Sequence, residues 1–347
     1  MPLSAITPSS IDPTPIFETF RGSYATELLT AAVAHFDIFR RLAHTPMTRT
    51  DLGAALGLAE RPTVVLTTAL RAFGLLTIDA EQRLVLTELA REHLMPGAAF
   101  DVGDYIGLAA NSPGVVEMVQ RLRTNRPATH DAGVAFIYRD GVKSAMENEA
   151  AARHFTLALA GRAKNVAPVL ATKIDLSHAK TLVDVGGGSG IYSIAFLQRN
   201  PHLHAIVLDR PEVLKVAQEM AQAYGVMDRL TLRGADMFRD PLPAGADVVL
   251  LSNILHDWDV PECQTLIARC AKSLKPGGQL LIHDVFLSDA HDGPLAMALY
   301  SAALFTLTEG RLYSAAEYRA WLHAAGLQAG EVTPTLIHCG LLVGTKT

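Results

Sequence analysis

The sequence predicts an α/β protein, a doubly wound parallel sheet with a smaller, mostly helical, winged-helix-like domain before it. Three observations predict this. From Lys180 onward, short apolar runs alternate with segments of helical period. The first of these runs ends in a glycine cluster. Upstream, patterns for helix, turn, helix and β-hairpin follow one another. A chain of 347 residues has room for two domains at ~100–200 residues each. With 49% hydrophobic and 19% charged residues it can bury a sizeable core.

Met1–Pro15 is rich in Pro, Ser and Thr and reads as a loose arm. Thr26–Leu42 repeats apolar residues at three- and four-residue spacing, a helix with one apolar face. Thr48–Leu56 and Arg61–Phe73 read as two short helices, with Asp51 and the threonines as capping candidates. Two short strands around the polar turn Asp79–Gln82 complete the winged-helix pattern. Asp101–Ala150 mixes helix and loop, with Thr124–Gly133 as the loop. Glu147–Lys173 is an Ala-rich helical stretch that links the domains. Strands are expected at Thr181–Val185, His204–Leu208, Leu230–Arg233, Asp247–Leu251 and Gln279–Asp284. Their near-continuous apolar character suits a sheet covered on both faces. Helices are expected at Tyr192–Arg199, Pro211–Tyr224, Pro261–Leu274 and Ala316–Ala325, followed by a closing antiparallel hairpin around Pro334.

The formal charge of −5 argues against a general nucleic-acid binder, which needs a basic face. The second helix of the winged-helix pattern carries only Arg61 and Arg71 against Glu60, too few polar and basic groups for reading a major groove. Its expected role is packing, with leftover apolar surface suited to a homodimer. Cys263, Cys270 and Cys339 have neither disulfide-scaffold nor zinc spacing, so no metal site is expected. The longest apolar runs fall far short of the ~20 residues that span a bilayer. Met1–Phe17 has no basic start and no apolar h-region. A soluble, cytoplasmic protein with no membrane partner is the expectation.

The chemistry gathers at strand ends. In VDVGGGSG, Gly186, Gly188 and Gly190 follow the first strand of the sheet, and glycines there let a ligand approach the backbone. Ile191 stands where a dinucleotide site would want its third glycine. Asp209 ends the second strand, 23 positions after Gly186, where a carboxylate can accept from two ribose hydroxyls. Asp236 and Met237 follow the third; a carboxylate there can accept from an adenine amino group, and Met can cover the ring. Either aspartate could instead be an ordinary N-cap.

VDVGGGSG, the Asp209 strand end, GADMF and LKPGG together resemble the S-adenosylmethionine (SAM) methyltransferases, a Rossmann-like fold. LLSNILHDWDVPEC is similar to the small-molecule O-methyltransferases, including plant caffeate and acetylserotonin enzymes and bacterial natural-product enzymes. The resemblance implies three blocks: a helical dimerisation domain over 1–110, a helical linker contributing to the substrate pocket over 111–179, and a SAM-binding catalytic domain over 180–347. It implies SAM as cofactor, a small-molecule acceptor and a homodimer. Asp184, inside the first motif, would bond the loop or the methionine end of SAM. His256 of HDW would be the general base, and Asp284, one methylene shorter than the usual Glu, its orienter. Asp284 could otherwise be a strand-end cap. His283 is expected to face the other way.

An imidazole suits the task, because a phenol of pKa ~10 is a weak nucleophile at neutral pH until its proton is taken. Two departures stand out. Leu312 occupies the place of a second acid, with Glu309 nearby only in a shifted register, and Ser252 replaces a Lys near the adenine. Phe155, Leu159, Leu304, Phe305 and Thr308 are candidates to line the acceptor pocket, each as readily core. Their apolar character suggests a flat, aromatic acceptor. The alternatives are C-methylation within the same family, a catalytically silent regulator or scaffold, and a nicotinamide dehydrogenase, against which Ile191 counts.

Overall fold

The computed structural model of the chain describes residues 2–126 and 148–347. They fall into two compact units, one of Met1–Phe17, Asp131–Phe286 and Ala315–Thr347, the other of Glu18–His130 and Leu287–Ser314. The units interleave along the chain, because Leu287–Ser314 belongs with the N-terminal helices.

In the helical unit, the single helix expected over Thr26–Leu42 is broken. An α-helix at Ala25–Thr30 passes into a π-helical turn at Ala31–His35, and Asp37, left-handed at φ 50°, starts a new helix at Ile38–His44. Aspartate tolerates that conformation better than most residues. Leu28, Ala31, Phe36, Phe39 and Leu42 still reach one core, so the apolar spacing kept its meaning across the break. Thr48 caps the helix Arg49–Leu56: its hydroxyl accepts from the Asp51 N–H at 3.1 Å and donates to the Asp51 carboxylate at 2.7 Å. The hairpin forms from β1 (Leu76–Ile78) and β2 (Leu84–Leu86), in register Leu76↔Leu86, with Asp79 accepting from the Glu81 and Arg83 N–H groups. Of the expected Thr124–Gly133 loop, only Thr124–Arg126 lies within the described residues. Thr124 ends the helix Pro113–Thr124, and Asn125 is left-handed behind it.

The second helix of the winged-helix pattern, Glu60–Ala72, is buried from Arg61 through Arg71. It therefore has no free face for a DNA groove. Its arginines are spent on the Leu287–Ser314 segment. Arg61 donates to the carbonyls of Thr308 (3.0 Å) and Gly310 (3.1 Å), to the Asn125 side chain (2.8 Å), and lies over the Phe305 ring. Arg71 donates to the Ala290 carbonyl. The helix Leu295–Leu307, which the sequence pattern did not reveal, packs against Glu60–Ala72 and places Leu299, Ala302 and Phe305 in the core.

The other unit holds the doubly wound sheet. Its strands are β3 (Thr181–Val185), β4 (His204–Asp209), β5 (Leu230–Gly234), β6 (Ala246–Ser252) and β7 (Leu274–Leu287). After the two-residue strand β8 (Tyr313–Ser314) of the helical unit come β9 (Leu327–Ala329), β10 (Thr333–Pro334) and β11 (Cys339–Lys346). The order β5-β4-β3-β6-β7 is parallel, and β11 joins β7 antiparallel, with β10 and β9 paired to its far side. The expected hairpin is present, but Pro334 sits in the edge strand and not in the turn; a proline is tolerated there because it has no N–H to donate. Helices Ile191–Arg199, Pro211–Ala223 and Val260–Ser273 connect the parallel strands.

Residues 2–7 are not a loose arm. Gln198 accepts from the Ala5 N–H (2.7 Å) and donates to the Leu3 carbonyl (2.8 Å), and Ala5 is buried in the sheet unit's core. Among the described residues, no helix is long and apolar enough to cross a membrane.

Arg61 is nearly inaccessible and serves at least three acceptors. Arg61→Ala strands those acceptors and opens space beneath Phe305, and should cost about 2–4 kcal/mol. A thermal melt should show the transition several degrees lower.

Candidate functional site

The carboxyl ends of β3, β4, β5, β6 and β7 open on one side of the sheet. The strand order reverses between β4 and β6, which flank β3. Ligands of open α/β sheets bind at such a switch point.

β3 runs into Gly186, Gly188 and Gly190, all at positive φ (69°, 58° and 71°). Only glycine takes three such values in five residues without strain. A Cβ at Gly186 would stand 2.5 Å from Ile254 Cδ1 and 3.9 Å from Met237 Sδ, so this loop lies against the segments after β5 and β6. A Cβ at Gly188 would meet nothing within 4 Å, so there is open space beside its Cα.

Asp209 closes the loop from the end of β4. One oxygen accepts from the Gly188 N–H at 2.8 Å and the other from the Arg210 N–H at 2.7 Å. Burial pushes its carboxyl up, and those two N–H bonds oppose the shift. A carboxylate offers about four acceptor positions, so about two remain, the number that a ribose diol needs. Asp236 is exposed and accepts from the N–H groups of Phe238 (2.8 Å) and Arg239 (3.2 Å). The capping alternative thus accounts for one of its oxygens. Met237 is held by Arg269, whose Nε donates to the Met237 carbonyl at 3.0 Å. Asp184 is buried beneath the loop, accepts a hydrogen bond from the Ser193 hydroxyl at 2.6 Å, and is pushed up to about 7 by burial. Through Oδ2 it fastens the helix that follows the glycines.

β6 ends at Ser252, and Asn253 turns the chain at φ 56° while its N–H still reaches the His283 carbonyl at 2.8 Å. A 3₁₀ turn, Leu255–Asp257, then carries His256 before Asp259 caps the next helix. His256 is buried, and its Nδ1 lies 2.5 Å from Asp284 Oδ1. An ionised carboxylate only accepts, so Nδ1 carries the proton and Nε2 is the basic nitrogen. Nε2 stands 3.7 Å from Asp257 Oδ1, too far for a hydrogen bond. Burial alone would push the imidazole down; the Asp284 and Asp257 carboxylates outweigh it, and His256 ends above its ordinary value. Asp284 is pushed up by burial but ends below its ordinary value, because His256 favours its anion. Asp257 is raised to about 6 by burial.

His283 faces elsewhere, as expected. It bonds Ser252 Oγ at 2.8 Å and Thr335 Oγ1 at 3.1 Å, and burial pushes it down to about 3, so it stays neutral. Ser252 thus serves His283.

The acceptor-pocket candidates are divided between the two units. Phe155 is half-buried and Leu159 exposed, both on the helix Glu149–Leu170 of the sheet unit. Leu304, Phe305 and Thr308 are buried within the helical unit. The Thr308 hydroxyl donates to the Leu304 carbonyl (2.9 Å) and accepts from the Gly310 N–H (3.1 Å), so it ends its helix and is no free polar group. Leu312 is fully buried.

Sequence reasoning missed Tyr318, on the helix Ala315–Ala324, whose O–H donates to Asp284 Oδ2 at 3.2 Å. The available signal was a tyrosine on the same helix face as Trp321 and Leu322, where a buried hydroxyl needs a partner. It also missed Arg162, which donates to Asn253 Oδ1 and lies 3.2 Å from Cys339 Sγ. Among the described residues, no group of His, Cys, Asp or Glu could hold a metal ion.

The family model of the O-methyltransferase domain matches residues 115–328. The chain is 34% identical over 325 residues to 3-hydroxy-5-methyl-1-naphthoate 3-O-methyltransferase of Streptomyces sahachiroi, covering 93% of this chain and 92% of that one. It is 45% identical, with a TM-score of 0.90 and 99% of each chain covered, to an O-methyltransferase family 2 protein from Planctomyces limnophilus, solved in complex with apigenin. An O-methyltransferase from neocarzinostatin biosynthesis, solved with SAM and 2-hydroxy-5-methyl naphthoic acid, is 25% identical with a TM-score of 0.57, covering 94% of this chain and 97% of that one.

Asp209→Ala should weaken SAM binding at least tenfold, since two charge-assisted hydrogen bonds of ~1.5–3 kcal/mol each are at stake. Calorimetry on the folded variant checks it, and unchanged affinity would refute the assignment.

Proposed function

The chain belongs to the O-methyltransferase family and is a SAM-dependent O-methyltransferase; on that premise we propose that it methylates a hydroxyl of an aromatic natural product, with His256 as general base. The buried 2.5 Å contact between His256 Nδ1 and Asp284 Oδ1, at the strand ends, carries this reading. Relatives acting on a naphthoate and binding apigenin support an aromatic acceptor.

The open space beside Gly188, the unspent acceptor positions of Asp209 and the Met237 thioether beside Gly186 fit an adenosyl ligand. Gly186, Gly188, Asp209, Asp236 and Met237 would hold it. When bound, SAM would supply a sulfonium methyl to the acceptor oxygen and leave as S-adenosylhomocysteine. His256 Nε2 takes the acceptor's hydroxyl proton. Asp284 keeps the ring oriented and stabilises the imidazolium. Because His256 is raised above its ordinary value, it is a better match to a phenol than a free imidazole.

His256→Ala should keep SAM affinity and lose about 10²–10⁴-fold in turnover with apigenin as acceptor; near-normal turnover at neutral pH would sink the base assignment. Only neutral imidazole accepts a proton. Wild-type activity should therefore rise with pH through the folded-state value of His256, above ~6.5. Asp284→Asn removes the charge that raises His256, so it should move this rise to lower pH and cost less turnover than His256→Ala.

The helical unit is proposed to form a homodimer. Phe20, Phe100, Tyr105 and Leu108 lie within residues 1–110 and are 64–81% exposed, more large apolar surface than a monomer usually leaves in water. Light scattering at micromolar concentration should give twice the monomer mass, and Phe20→Asp with Leu108→Asp should halve it. A wild-type monomer would refute the dimer.

A further inference from the structure

We propose that Tyr318 is a positioning residue for methyl transfer, its phenol holding the Asp284 carboxylate so that His256 is correctly oriented and tuned. The inference rests on His256 being the base. Asp284 is almost wholly buried, and its two oxygens are served unequally. Oδ1 receives His256 Nδ1 at 2.5 Å and the Val285 N–H at 2.8 Å; Oδ2 receives the Tyr318 O–H at 3.2 Å. From β11, Gly340 stands opposite Asp284 and presents no side chain. Leu312, where the resemblance places a second acid, is hydrocarbon. Tyr318 is itself fully buried, with Phe286 and Trp321 edge-on at ring distances of 5.5 and 5.4 Å, so its hydroxyl has a fixed aim. A phenol therefore serves Asp284 from behind without adding another negative charge.

The sign of its effect follows from charge. With His256 neutral, Asp284 carries an uncompensated negative charge; with His256 protonated, the pair is neutral. A donor on Oδ2 stabilises the first state more, which holds the proton affinity of the pair down. The other charged groups around the pair are Asp257 on the same turn, which raises His256, and Arg162 from the helix Glu149–Leu170, which lowers it. His283 beside Asp284 stays neutral. Removing the phenol should push His256 up, whereas removing the Asp284 charge should push it down. A tyrosine that merely fills space would move it in neither direction.

The test is an NMR titration of the full chain labelled with ¹⁵N-histidine, with His256→Ala assigning the resonance. Tyr318→Phe should raise the His256 midpoint by about half a pH unit or more, and Asp284→Asn should lower it. With apigenin and SAM, Tyr318→Phe should lower kcat about 3–10-fold at neutral pH, leave KM nearly unchanged, and recover at higher pH. If Tyr318→Phe does not fold, Tyr318→3-fluorotyrosine, a stronger donor of the same shape, should lower the midpoint. A midpoint within about 0.2 units of wild type in the folded variant overturns the proposal. The titration needs no turnover, so it stands apart from the base assignment, which fails only if His256→Ala stays active.

Discussion

The contact between His256 and Asp284 depends on β6 ending at Ser252 while its parallel neighbour β7 runs on through Asp284 to Leu287. The register pairs Ser252 with His283. Asn253, left-handed, bends the chain just after Ser252, and the 3₁₀ turn brings His256 to Asp284, the residue after His283 in β7. A buried carboxylate is tolerable only when its oxygens are served, and stripping a partner from a buried pair typically costs ~3–5 kcal/mol. Here the servers come from three places: the turn after β6, the backbone of β7 itself, and the helix Ala315–Ala324. The sheet order, the left-handed asparagine and the antiparallel edge strand with its glycine at 340 are all conditions for that arrangement.

The sheet was largely legible in the sequence. β3 falls at the expected Thr181–Val185, because a parallel strand covered on both faces is apolar throughout and glycines end it sharply. His256 and Asp284 were legible through the family resemblance, His256 in the HDW motif after β6 and Asp284 in the apolar run that became β7. The helix Leu295–Leu307 was not, since it is apolar on nearly every side and has no amphipathic period to read. Nor were the fates of the polar groups: one oxygen of Asp184 and the hydroxyl of Thr308 are each engaged by a neighbour that only the fold supplies.

The helical unit teaches a similar lesson about borrowed architecture. A helix-turn-helix with a hairpin presents its second helix to a groove only when that helix has a solvent face. Glu60–Ala72 has none; its two arginines are turned inward to serve carbonyls contributed by residues more than 200 positions later. The paucity of charge on this helix, visible in the sequence, was the outward sign of that burial.

Phe286 is the last residue of the sheet unit before the chain leaves for Leu287–Ser314, and Ala315 is the first on its return. Asp284 and Tyr318 stand just inside those two crossing points. Their hydrogen bond, with the Phe286–Tyr318 ring contact beside it, is therefore a clasp at the neck of a 28-residue excursion as well as a prop for the partner of His256. The excursion supplies Phe305 to another core and carbonyls to Arg61, so it cannot be traded between relatives like a surface loop. Lengthening or shortening that segment would pull on both ends of the clasp and, through Asp284, on the aim of His256.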